Sequence, residues 1–180
     1  MARLYRYVGP EAIRQRAAGS PSGLRVGSVA ELVAWLRAPG QRPGRDGLIA
    51  VTFTLDACGR LHIADRCSEH VACAAGGPVL SAGELFLRLT EMGVEVVEAS
   101  NQSTGFCPES ESWPALAAAL DGLGIAHPGQ FTQEVVFRRC PGCGQRNIVK
   151  EGWFVCGVCG ADLPASWNFD SGGEPNVPAR

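Results

Sequence analysis

Lysine is almost missing from this chain: of 16 basic residues, Lys150 is the only one that is not arginine. We read that imbalance as base composition rather than chemistry. Long apolar runs are missing too. No stretch approaches the roughly 18 residues that a membrane-crossing helix needs, which excludes a helical span. The opening MARLYRYVGPEAIRQRAAG scatters charges along its length and has no apolar centre. It is not a secretory leader, so a reducing, cytoplasmic location is expected. No internal repeat is visible. A strong net charge is also lacking; the formal value is -2, which selects neither a nucleic acid nor a membrane as partner.

What charge there is, is unevenly spread. Residues 1–45 carry eight arginines against Glu11 and Glu31, a net of +6. Residues 46–130 carry eleven acids against Arg60, Arg66 and Arg88, a net of -8. The expectation is a basic N-terminal segment packed on an acidic body, with a phosphate-gripping arm as the sharper alternative.

The local pattern predicts an α+β protein with a mostly antiparallel sheet, because its strands are joined by short links. Two helices are expected near the N-terminus. One covers residues 9–18 behind Gly9-Pro10. The other covers residues 29–37 behind Ser28, with Glu31 placed for a capping box. APGQRPGRDG, residues 38–47, is a Pro/Gly-rich loop. LIAVTFTLD (48–56) is a β-branched strand, and RLHIAD (60–65) is its hairpin partner. Further strands are expected at 69–75, 83–90, 94–99 and 131–139. A later helix is expected at 112–123, where the first turn tolerates Pro114 and Gly124 ends it. The division expected is an N-terminal helical segment (1–47), a body (48–137), a small cysteine-rich unit (138–163) and a partly disordered tail (164–180).

That small unit contains CPGCGQRNIVKEGWFVCGVCG. Two C-x-x-C-G turns each bend a pair of sulfurs toward one point, and Gly144 and Gly160 relieve the bend. Thiolates in fours suit Zn2+, and four of them leave no open coordination position, so the metal is read as structural. It would contribute on the order of 10 kcal/mol to folding so small a segment. Between the turns, residues 147–150 and 153–155 read as a hairpin about Glu151-Gly152. Residues 138–163 resemble the rubredoxin-like zinc ribbons. The resemblance implies Cys140, Cys143, Cys156 and Cys159 as ligands, with iron as a minority alternative. Arg138, Arg139, Arg146 and Lys150, near Trp153 and Phe154, suggest a basic side for protein or nucleic-acid contact.

Upstream, SEHVACAAGGPVLSAGE (68–84) and NQSTGFCPESES (101–112) combine small residues with convergent polar ones, as ligand pockets do. The expected lining is His70, Glu84, Asn101, Gln102, Ser103, Thr104 and Glu109; the bland alternative is a pair of turns bonded to their own backbone. His70, Gly76, Gly77, Val79, Ala82, Gly83 and Glu84, then Ser103, Phe106, Pro108 and Glu109, resemble a segment of the plant IQ-motif calmodulin-binding proteins. The same segment occurs in certain bacterial toxin-like adenylyl-transferring effectors. Val71 and Ala72 replace serines of that pattern and Gly105 replaces its second histidine, so the resemblance implies a related scaffold more than a related reaction. Two lesser readings concern the other cysteines. Cys67, His70 and Cys73, with Cys107, can be arranged as a second metal site. Cys107 can also be a nucleophile served by His70 or His127.

The function expected first is a soluble ligand-binding or protein-interaction protein with a structural zinc ribbon. The alternative from another class is a transferase on a nucleotide-type substrate (adenylyl or ADP-ribosyl transfer), with His70 as base and Glu84 or Glu109 as its acid–base partner. A nucleic-acid-binding accessory protein comes third. A protein or small molecule is the expected partner; a membrane is not.

Overall fold

The computed structural model describes residues 2–19 and 22–169. The tail expected to be partly disordered lies largely outside the described residues. The chain divides into two compact units, Met1–Glu134 and Val135–Arg180.

The first unit is α+β. Its helices are α1 (Glu11–Gly19), α2 (Val29–Leu36), α3 (His70–Cys73) and α4 (Trp113–Leu123). Its strands are β1 (Leu24–Arg25), β2 (Ile49–Asp56), β3 (Leu61–Asp65), β4 (Val79–Thr90) and β5 (Gly93–Ser100). They form one sheet in the order β1-β3-β2-β4-β5, every pair antiparallel.

The register explains the sheet's two faces. Phe53 faces Ile63 and Gly83, and Val51 faces Leu85. This alternate set is buried in the main core with Leu32 and Leu36 of α2 and Leu116 and Leu120 of α4. On the other face, Thr52 and Thr54 are buried too. Burying a hydroxyl is tolerated only when it is bonded. Thr52 donates to the carbonyls of Arg66 and Ser68 (3.3 Å each), and Thr54 donates to the Cys73 sulfur (3.5 Å). The 66–73 segment is thereby stitched to the sheet.

Helix ends follow their local chemistry. Ser28 Oγ accepts the Glu31 N–H, and Glu31 reaches back to the Gly27 N–H at 2.9 Å. Pro114 sits in the first turn of α4, and Gly124 closes that helix at φ 71. Two expected strands are corrected. Residues 70–73 form one helical turn instead of a strand. Of 131–139, only Val136–Arg139 is a strand. Residues 132 and 133 instead donate their N–H groups to the Ala99 carbonyl.

In the second unit, β6 (Val136–Arg139) pairs antiparallel with β7 (Arg146–Val149). The expected partnership of β7 with 153–155 is reduced to a turn. The Trp153 N–H meets the Lys150 carbonyl at 2.9 Å, and Glu151 and Gly152 both adopt positive φ. The ladder itself belongs to β6, which lies before the first cysteine pair.

Candidate functional site

The two cysteine turns are built alike. The Gly144 N–H bonds the Cys140 carbonyl (2.9 Å), and the Gly160 N–H bonds the Cys156 carbonyl (3.0 Å). The Cys140 N–H bonds the Gln145 carbonyl, and the Cys156 N–H bonds the Ala161 carbonyl, both at 2.8 Å. Gly144 and Gly160 turn at φ 74 and 73, a conformation that a side chain would strain. The result is two near-copies of one bend facing each other.

All four sulfurs lie within 4.8 Å of one another. Cys140 and Cys159 are 3.5 Å apart, and Cys143 and Cys156 are 3.6 Å apart. A tetrahedron with metal–sulfur bonds of about 2.3 Å has edges of about 3.8 Å, whereas a disulfide would need about 2.05 Å. The thiols are free, and the cluster can hold a metal ion. Its donor set, four sulfurs and nothing else, suits a borderline-soft ion. Among the described residues there is no second such group. Cys73 is buried against Thr54, which sets aside the site imagined from Cys67, His70, Cys73 and Cys107.

The sulfurs are not alike: against the pull of the Gln145 N–H, burial and the neighbouring sulfurs push the Cys143 thiol up. Cys156 is drawn down to about 6 by the N–H groups of Cys159 and Val158, helped by Asn147. Asn147 was not anticipated from sequence. Its amide donates to the Cys156 sulfur (3.5 Å) and to the Gln145 carbonyl (2.9 Å), while its oxygen accepts the Gly157 N–H (3.0 Å). One side chain thus ties β7 to both bends, the kind of outer support that orients metal ligands.

The basic side expected here is largely spent inside the unit. Arg138 is buried and donates to the carbonyls of Phe137, Pro164 and Ala165. Arg139 lies over the Phe169 ring at 5.3 Å, and its backbone is clasped by Asn168 on both sides. Of the four basic residues, only Lys150 is exposed. The two aromatics also part company: Trp153 is 72% exposed, while Phe154 packs against the cysteine cluster.

In the first unit, the space beside Gly83 and Gly105 is filled by the protein itself, while Gly76 borders a cavity of about 260 Å3. A Cβ on Gly83 would lie 1.9 Å from the Ser100 carbonyl oxygen, and one on Gly105 would lie 2.6 Å from the Tyr7 ring. The N-terminal strand segment brings Tyr7 there. Tyr5 exchanges both backbone bonds with Val79 (2.7 and 2.9 Å), and the Val8 N–H bonds the Gly105 carbonyl (2.7 Å). Phe106, fully buried, meets the Tyr7 ring edge-on at 5.7 Å.

The expected pocket residues are distributed as follows. His70 Nε2 lies 3.0 Å from the Gly83 carbonyl. Burial pushes the imidazole down, against opposing pulls from that carbonyl, Glu84 and Glu69. A neutral ring that donates to Gly83 satisfies the contact. Glu84 sits on β4 opposite Thr52 and Ser100. Asn101 is buried and donates to the Pro108 carbonyl at 2.8 Å, closing the loop on itself. The Cys107 N–H bonds the Ser103 carbonyl (2.7 Å), and the Cys107 thiol points to the Thr104 carbonyl (3.4 Å). Ser103 Oγ is buried without a hydrogen-bond partner among the described residues. Gln102 and Thr104 are exposed. Glu109 turns elsewhere, pairing with Arg3 at 3.0 Å on the wall of a cavity of about 620 Å3 shared with Tyr5 and Glu111. His127 is engaged by Asp121 at 3.1 Å.

No family model, curated protein or solved structure matches this chain. The likeness noted over residues 70–109 rests on motif spacing alone.

Proposed function

We propose that this protein works by binding a ligand or a partner protein, and that its second unit is a rubredoxin-like ribbon closed by one structural Zn2+ on Cys140, Cys143, Cys156 and Cys159. The observation that carries the reading is the sulfur tetrad. Four thiolates complete a tetrahedron and leave no place for a metal-bound water or substrate. The metal therefore holds the fold, and the function lies in surfaces and cavities. A transferase would need an acid and a base converging on one reacting atom. His70 is committed to the Gly83 carbonyl and Glu109 to Arg3, so the binding reading is preferred. The ribbon itself offers little to a nucleic acid, because Arg138 is consumed by internal carbonyls and Arg139 by its stacking on Phe169.

The test is native mass spectrometry of the protein purified from its source organism. The expected spectrum shows one zinc per chain, with a small molecule or protein retained on part of the population. A metal-free folded chain, or a site loaded with iron, would overturn the zinc assignment.

A further inference from the structure

Arg42 and Arg45 stand on the loop before β2, and Arg66 on the turn after β3. All three are exposed, and none of their guanidinium groups has a hydrogen-bond or ion-pair partner among the described residues. They line one cavity of about 430 Å3, within the range of about 300–1,000 Å3 typical of small-ligand sites. Its floor is apolar. Ala50 and Phe86 face each other across β2 and β4, beside Leu48.

Two aspartates also border this cavity, and both are turned into their own loops. Asp46 Oδ1 accepts the Leu48 N–H (3.1 Å), and Asp65 Oδ1 accepts the Cys67 N–H (2.9 Å). Glu98, opposite Phe86 on β5, is held by the Gln133 amide at 3.1 Å. The three guanidinium groups outnumber the two carboxylates that line the cavity, and none of the three is tied into an ion pair among the described residues. The loop that carries two of them is ordered by its own backbone. The Gly44 N–H bonds the Leu48 carbonyl (2.8 Å), and the Gly47 N–H bonds the Gly44 carbonyl (3.1 Å). Holding like charges together on a fixed loop costs free energy unless an anion joins them.

We infer that this cavity is a binding site for a small organic phosphate, its phosphate held by Arg42, Arg45 and Arg66 and its flat apolar part resting on Leu48, Ala50 and Phe86. Guanidinium groups present planar forks of donors that match phosphate oxygens. The floor has no charge to offer and suits a ring. The unspent oxygens of Asp46 and Asp65 can accept from hydroxyl or amino groups at the rim.

The probes are adenosine 5′-monophosphate, adenosine and inorganic phosphate, each titrated by calorimetry into the zinc-loaded full chain. The nucleotide is expected to bind best, inorganic phosphate more weakly and adenosine weakest. Nucleotide binding should weaken as salt rises. Arg66→Gln and the double variant Arg42→Gln/Arg45→Gln should each weaken it by about tenfold or more, with unchanged thermal melting because these side chains are exposed. Equal affinity for adenosine and the nucleotide would overturn the role of the arginines. So would salt-independent binding in the unaltered protein. Absence of binding at about 10 mM nucleotide, weaker than the millimolar range, would overturn the site. Tighter binding of a hexaglutamate peptide than of the nucleotide would overturn the assignment to a small phosphate. Zinc content is measured on the same samples, so a chain with full zinc and no phosphate binding sinks this inference and leaves the metal assignment standing.

Discussion

Asn101 and Ser103 are two buried polar residues on one loop, and the structure gives them opposite energetic roles. Asn101 donates to the Pro108 carbonyl at 2.8 Å, whereas Ser103 Oγ has no partner among the described residues. Truncating Asn101 to alanine removes a hydrogen bond with a net value of about 1 kcal/mol. It also strands a buried carbonyl, which costs about 1–3 kcal/mol. Asn101→Ala should therefore destabilise the first unit by about 2–4 kcal/mol. Truncating Ser103 removes a desolvated hydroxyl that receives nothing in return, so Ser103→Ala should be neutral or stabilising by up to about 1 kcal/mol. The assay is urea unfolding followed by Trp113, which is buried in this unit, with the slopes compared to confirm that the unfolding transition is unchanged. The reasoning fails if Ser103→Ala costs as much as Asn101→Ala. That outcome would mean the hydroxyl has a partner in solution, and would return the loop to candidacy as a ligand-lining element.

Other outcomes follow from single contacts. Burial alone would raise the Asp56 carboxyl, but the N–H and guanidinium of Arg60, with His62 and the Cys58 N–H, outweigh it and hold it at about 2 against an ordinary 3.8. A depressed carboxylate contributes stability above the unfolded value, and loses it as pH falls through the folded one. Trimmed for partial exposure, the contribution is about 1–2 kcal/mol, so Asp56→Asn should destabilise at pH 7 and cost far less near pH 2.5; an equal cost at both would refute the assignment. Gly83→Ala should cost about 3 kcal/mol or more, because the new methyl meets the Ser100 backbone rather than a side chain that can yield; unchanged melting would contradict it. Asn147→Ala should weaken metal affinity about tenfold in a chelator competition, with no change in affinity sinking the role given to that side chain.

The parts of this fold legible in the sequence are those whose cause is local. The Ser28–Glu31 cap, Pro114 in a first turn, Gly124 at a helix end and the paired cysteine bends each announce themselves within a few residues. The β-branched run of β2 does the same. What escaped depended on distant partners. Residues 70–73 alternate like a strand, yet Thr54 and the 66–68 carbonyls place them over the sheet as a helical turn. Tyr5 and Tyr7 carry no local signal that they would pair with Val79 and fill the space above Gly105. Arg138 and Arg139 look like a surface charge pair, and only the return of residues 164–169 onto β6 explains their contacts. The cysteine tetrad was visible because its geometry is written in its spacing. The arginine-lined cavity was not, since Arg66 reaches Arg42 and Arg45 only through the pairing of β3 and β4 with β2.

The central claim is that a metal ion closes the second unit. The direct measurement is a two-dimensional amide NMR spectrum of the full chain before and after a strong chelator, with metal counted in both samples. The account predicts one zinc per chain at the start, and loss of the dispersed signals of residues 136–163 when it is removed. Retention of those signals in a chain shown to be metal-free would contradict it.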